Sequence, residues 1–303
     1  MAFKKRIIVG VSLLLLVLVF FSQMVGAEEF KLADRILEKV QKGEPLNIKV
    51  VYHNIGINFA MVLKRGAEDA AKEFGVNVEF TGPVEPNVET QVAMIENFIA
   101  SEVDGLAISN VSAEALNPMI ERALNAGIPV VTFNSDAPGS KRLALFGQDL
   151  VQSGRTQAEI LLEYMGEQGK VLIFSCDAAA AWSLDREKGV REILGKYPNI
   201  EIINTINTGV EEYSAYAAVE NALLANPDVA GIAALDAVTT PLVGRYILRN
   251  NLVGKIKNVG HDLLPETLQN IKAGATNASL SQDPYKQGYL QVKALYEYIV
   301  KGV

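Results

Sequence analysis

Cysteine, histidine and tryptophan are nearly absent from this chain: one, two and one among 303 residues. A single cysteine, Cys176, closes no internal disulfide, so the fold cannot depend on one. Cys176 ends an apolar run from Val171 and reads as a buried structural thiol; with no histidine near it in sequence it is a poor nucleophile. The two histidines, His53 and His261, follow separate strand patterns, and a shared metal site would need a third ligand from elsewhere. No metal or cofactor is therefore expected. No glycine-rich phosphate loop is present either, because Asn54-Ile55-Gly56-Ile57-Asn58 lacks both the spacing and the lysine. Positive charge is also in deficit. The formal charge of −7 repels phosphate backbones and makes nucleic acid an improbable partner.

One long apolar run exists, and it lies at the start. Lys4, Lys5 and Arg6 precede an apolar stretch from Ile7 to Phe21, followed by Val25-Gly26-Ala27. That order is the pattern of an export signal cleaved after Ala27. The alternative is an uncleaved anchor, but the core of about fifteen residues is short of the roughly twenty needed to span a bilayer. No cysteine lies near the cleavage point to carry a lipid. The expectation is an exported, periplasmic protein with a signal peptide over 1–27. What remains is 276 residues, enough for two lobes with their own cores.

The rest alternates. Apolar spacing predicts an N-terminal helix over Glu28 to Lys42, ended by Gly43 and Pro45. From Leu46 onward short apolar strands alternate with helices, beginning with strand Ile48 to Tyr52 and helix Phe59 to Phe74. The series ends with strand Thr276 to Ser281 and helix Tyr285 to Lys301. Strands this short and apolar on both faces, separated by helices, build parallel doubly wound sheets. There are too many strands for one sheet, and the rhythm pauses near Leu145 to Asp149. The fold class is thus α/β, with two doubly wound parallel-sheet lobes. The expected divisions are a helical extension over 28–45, a first lobe over 46–147 with 283–303, and a second over 148–282.

Open parallel sheets bind ligands beyond the carboxyl ends of their strands. Those positions hold His53 and Asn54, Asn110 after the strand Leu106 to Ser109, and Asn134-Ser135-Asp136 in the first half. In the second they hold Asp177, Asp236 and His261-Asp262. Amides and carboxylates suit a ligand with several hydroxyls, because each carboxylate accepts several hydrogen bonds. Any one of these residues also fits a helix N-cap. Their number favours a site, as do residues that capping does not explain: Asp185 and Arg186 in the first turn of a helix, and Trp182 in a loop of alanines. An indole face packs on the C–H face of a sugar ring, yet Trp182 fits core or inter-lobe packing as well. Phe59 is the matching aromatic of the first lobe, again with core packing as its other role. No acid–base pair for hydrolysis stands apart from this set, so no enzyme is expected.

The chain resembles periplasmic sugar-binding proteins of the ribose-binding (type I) family. The likeness runs from Leu46 to Val303 and is densest in Thr81-Gly82-Pro83-Val84-Glu85-Pro86, Gln91 to Phe98, Gly127 to Thr132 and Val259 to Asp262. The first stretch and Asn134-Ser135-Asp136 are similar to rhamnose and autoinducer-2 binders. Gln282-Asp283-Pro284-Tyr285 and Gly288-Tyr289-Leu290 are similar to glucose- and inositol-type relatives. The resemblance implies a type I periplasmic binding protein fold whose lobes, joined by a hinge at Gly147-Gln148 and Gln282-Asp283, close on a small sugar or polyol. The sugar is then delivered to a membrane ABC permease; a signalling role beside a chemoreceptor, for a furanose-type ligand such as autoinducer-2, is the alternative. It implies a monomer. Carried over by position, ligand contacts fall on His53 or Asn54, Phe59, Ser109 or Asn110, Asn134 to Asp136, Asp185, Arg186, Asp236, Asp262 and Gln282; Trp182 joins them on its own chemistry. Ribose binders carry Asp-Arg where Asn134-Ser135 stands, which argues against ribose itself. Such proteins usually continue past the last helix; here Val303 ends the chain, so a third crossover is expected to be missing or the chain to be incomplete.

Overall fold

The central strands form where short apolar runs such as Leu106-Ala107-Ile108 and Val130-Val131 precede a helix. In the computed structural model, which describes residues 30–303, β1 (Asn47–Val51), β2 (Asn77–Thr81), β3 (Gly105–Ile108), β4 (Val130–Phe133) and β5 (Leu145–Phe146) make one parallel sheet. Its order is β2-β1-β3-β4-β5. Every residue of β3 and β4 is buried, as expected of strands covered on both faces. A second parallel sheet, ordered β10-β9-β8-β6-β7, holds β6 (Gly169–Ser175), β7 (Ile200–Asn207), β8 (Val229–Ala234), β9 (Lys257–His261) and β10 (Ala278–Leu280). Between the strands run α1 (Asp34–Lys42), α2 (Asn58–Phe74), α3 (Val88–Ala100), α4 (Ala113–Asn125) and α5 (Leu150–Met165). The later helices are α6 (Ala181–Leu194), α7 (Glu212–Ala225), α8 (Thr239–Arg249), α9 (Pro265–Lys272) and α10 (Pro284–Lys301). Two doubly wound lobes result, and the chain passes between their sheets at 147–149 and 281–283.

Local chemistry sets most helix ends. Asn87, Ser112, Asp149 and Asp283 each accept a hydrogen bond from a backbone N–H in the first turn of α3, α4, α5 and α10. Gly43 and Gly75 end α1 and α2 in the left-handed conformation.

Three expectations change. The N-terminal helix begins at Asp34, not Glu28. Ala33 is extended and donates its N–H to the Gly127 carbonyl at 3.0 Å, a tertiary contact that a helix would break. The pause at Leu145 hides a two-residue edge strand paired to β4. Trp182 stands in the first turn of α6 rather than in a loop, so Asp185 and Arg186 belong to the turn after it. The expected signal peptide, 1–27, lies outside the described residues. Among those described, no helix is long and apolar enough to cross a membrane.

Each lobe is braced by a close helix crossing at glycine. A Cβ at Gly288 of α10 would overlap the Leu63 carbonyl of α2, and one at Gly154 of α5 would overlap the Arg186 carbonyl of α6. Helix α10, last in the chain, thus covers the first sheet as α5 covers the second. Gly154→Ala must push α5 and α6 apart. The expected result is a loss of about 1–3 kcal/mol in urea unfolding, with weaker ligand binding because Arg186 moves with α6. Unchanged unfolding would show that the crossing has slack.

Candidate functional site

The carboxyl ends of the two sheets contribute to one cavity of about 560 Å³, its open mouth included. From the first lobe come Tyr52, His53 and Asn54 after β1, Phe59 in the first turn of α2, and Asn134 after β4. From the second come Cys176 and Asp177 after β6, Trp182 and Arg186 of α6, Asp236 after β8 and Asp262 after β9. Gln282, in the crossover after β10, lines it too.

Arg186 is the centre of charge. It is 3% exposed; Nη1 donates to the Leu235 carbonyl at 2.7 Å, and Nε is buried with no partner among the described residues. Burial lowers its pKa, and the negative fields of Asp262 and Asp236 oppose that shift. Asp236 is held by the backbone, accepting from Cys176 N at 2.8 Å, Val238 N at 2.9 Å and Thr239 N at 2.8 Å. Those bonds fulfil the capping role that a strand-end carboxylate also fits, while its side chain still faces the cavity. Burial raises its pKa in spite of them. Asp262 is pushed up to about 6 by burial, with Arg186 and the Gln282 amide pulling the other way.

The first lobe answers with neutral groups. The Ser109 hydroxyl lies 2.7 Å from His53 Nδ1 and also accepts from Ser135 N at 3.3 Å. Burial lowers the His53 pKa to about 4, so the ring is neutral at ordinary pH. The Tyr52 ring lies tilted beside it, centroids 4.3 Å apart and planes at 40°. Burial drives the Tyr52 phenol well up, and Asp262 adds to the effect.

A hydrogen-bond chain ties the cavity to the crossover. Asn134 Nδ2 donates to Gln282 Oε1 at 2.9 Å and to Gln287 Oε1 at 3.2 Å, and Gln282 Nε2 donates to Asp262 at 3.0 Å. Asn134, Asp262 and Asp283 have φ of 56°, 71° and 49°, the left-handed region that Asn and Asp enter more readily than other non-glycine residues. Three such residues around one crossover mark a joint that the surrounding packing holds in place.

Nine of the thirteen candidate residues line the cavity: His53, Asn54, Phe59, Asn134, Trp182, Arg186, Asp236, Asp262 and Gln282. Four do not. Ser109 stands behind His53 and orients it. Asn110 is turned to the Ser135 carbonyl at 3.1 Å. Asp136 is taken by Arg142, which donates from Nε at 2.5 Å and Nη2 at 2.6 Å, and by the Thr132 hydroxyl at 2.7 Å. Asp185 is exposed, one residue from Arg186 and so about 100° round the helix. His261, fully buried, bonds Ser153 at 2.9 Å rather than the cavity. Trp182 combines both of its possible roles, lining the cavity and packing on the second core, with the Arg186 guanidinium 5.8 Å from its ring centroid. Tyr52 and Cys176 also line the cavity. The sequence reading placed both at the ends of apolar strands, where nothing separates a lining residue from a core one; only a position one step past the strand could have signalled them.

A two-lobed α/β molecule with a polar, charge-bearing cavity between the ends of its sheets defines a class, that of solute-binding proteins. Residues 48–302 match the periplasmic binding protein domain, and the chain belongs to that family. It is 30% identical over 257 residues to the xylose/arabinose-binding protein XylF of Sulfolobus acidocaldarius, across 80% of this chain and 63% of that one. The chain thus spans less than two thirds of that relative's length. With the D-allose-binding periplasmic protein of Escherichia coli it shares 26% identity over 257 residues, covering 82% of this chain and 83% of that one. Among solved structures, a solute-binding protein of Burkholderia graminis in complex with D-arabinose superposes with a TM-score of 0.80. Its identity is 30%, covering 84% of this chain and 89% of that one.

Proposed function

We propose that this protein captures a small neutral sugar or polyol between its lobes in the periplasm and delivers it to an ABC permease. The observation that carries the reading is Arg186 buried beside Asp236 and Asp262 in a cavity flanked by the Trp182 and Phe59 rings. Carboxylates and guanidinium take hydroxyls from one side, and the rings cover C–H faces. Bonds of this kind, about 1.5–3 kcal/mol each where a charge is involved, offset the desolvation of a small polyol. Carboxylates outnumber cations around the cavity, which disfavours phosphorylated or acidic sugars. The relatives named for xylose, arabinose and allose support the same class of ligand. Closure turns on the crossovers at 147–149 and 281–283, and ligand stabilises the closed form because it touches both lobes. The protein acts as a monomer and without catalysis.

The test is a thermal-shift screen of the leaderless protein with pentoses, hexoses, deoxyhexoses, xylitol and inositols, followed by titration of Trp182 fluorescence. A hit at micromolar Kd or tighter, about −8 kcal/mol, with changed emission supports the reading. No shift with any of them, from folded protein, overturns it.

A further inference from the structure

A second, solvent-open compartment of about 1030 Å³, its open mouth included, adjoins the charged cavity. Ile57, Phe59, Val210, Ala237 and Val238 line both, so the two spaces meet along an apolar wall. Beyond that wall the surroundings change. Pro241, Leu264 and Pro265 supply flat apolar surface, and Arg245 is clamped by Glu266 at 2.7 Å and Glu212 at 2.8 Å. One guanidinium against two carboxylates leaves a single net negative charge there and several carboxylate lone pairs. Opposite them stands Asn58, in the first turn of α2, whose exposed side-chain amide makes no hydrogen bond among the described residues. An outer space with apolar faces, paired carboxylates and a free amide offers what a second sugar ring needs, and it is continuous with the space proposed for the first.

We infer that the cleft accepts a disaccharide, one ring in the charged cavity and the second in this outer compartment against Asn58, Glu212 and Glu266. The inference rests on the sugar-binding reading above. A larger ligand would still close the lobes from the inner cavity, while the outer ring passes out between α2 and α8.

Calorimetric titration with D-xylose, L-arabinose, D-ribose, methyl β-D-xyloside, xylobiose and α-1,5-arabinobiose tests it. The expected result is that at least one disaccharide binds as tightly as its monosaccharide or better. Asn58→Trp, which fills the outer compartment from an exposed position, should weaken that disaccharide tenfold or more and leave the monosaccharide within threefold. Asn58→Ala should weaken it less, and gives the comparison if the tryptophan variant folds poorly. Binding of monosaccharides with rejection of every disaccharide would overturn the inference and leave the parent reading intact. So would disaccharide binding indifferent to both Asn58 variants. Binding of none of the six by folded protein would overturn this inference, and counts against the parent reading once the wider panel is also silent.

Discussion

Arg186→Ala should weaken sugar binding by about 100-fold or more. The guanidinium is a charged donor with Nε buried and unpartnered, so its bonds to a ligand belong to the stronger class, roughly 1.5–3 kcal/mol each. Its removal also strips the buried carboxylates Asp236 and Asp262 of the positive field that offsets their own burial. Two losses therefore fall on one site, a donor to the ligand and the electrostatic support of the acceptors. Arg186→Lys should recover part of the second and little of the first, because an ammonium cannot reproduce the planar fork. Fluorescence titration with the ligand identified in the screen measures both variants. Wild-type affinity in Arg186→Ala would take the residue out of the site and leave its charge without a functional account.

The two variants also separate field from contact. If lysine restores binding nearly fully, the positive field on Asp236 and Asp262 is what matters. If it does not, the geometry of the fork matters.

Much of this was legible in the sequence because the physics is local. Apolar runs such as Leu106-Ala107-Ile108, followed by a polar residue and a capped helix, leave one reading, and β3 with α4 follows it. Asp236 and Asp262 were found because a carboxylate directly after a buried strand must face the sheet's carboxyl end. Departures arise where a partner, a missing cap or a very short element decides. Asp136 has the same local context, but Arg142 reaches it across a turn. The first turn of α6 carries no capping signal, since Ala180 is its N-cap and makes no side-chain bond. Without that marker the pattern places the helix start too late, and nothing in it separates exposed Asp185 from buried Arg186. Strand β5 is two half-buried residues at a sheet edge, too short for any periodicity. The outer compartment joins residues more than 150 positions apart, such as Asn58 and Leu264, and no spacing announces it.

His53→Gln and Asp262→Asn should tilt the pH dependence of stability in opposite directions, each by roughly 2–3 kcal/mol between pH 4 and 7. Folded His53 titrates at about 4 against an ordinary 6.5. Between those values the unfolded chain binds a proton that the folded chain does not, so the stability present above pH 6.5 is lost as pH falls toward 4. Folded Asp262 titrates at about 6 against 3.8. Between those values the folded chain holds a proton that the unfolded chain releases, so stability is lost as pH rises toward 6. The two windows overlap and the signs oppose, so from these two residues alone the native protein is nearly flat. His261, lowered by burial, and Asp236, raised by it, form a second opposed pair in the same direction. Relative to the native protein, His53→Gln should therefore gain stability on acidification from pH 7 to 4. Asp262→Asn should gain on the reverse path. Urea unfolding followed by Trp182 emission at pH 4, 5, 6 and 7 measures both, and subtracting the native curve removes the groups common to all three. Parallel curves for native and His53→Gln would mean that His53 reaches solvent in the unliganded cleft. Parallel curves for Asp262→Asn would mean the same of Asp262, and a cleft standing open would then explain both.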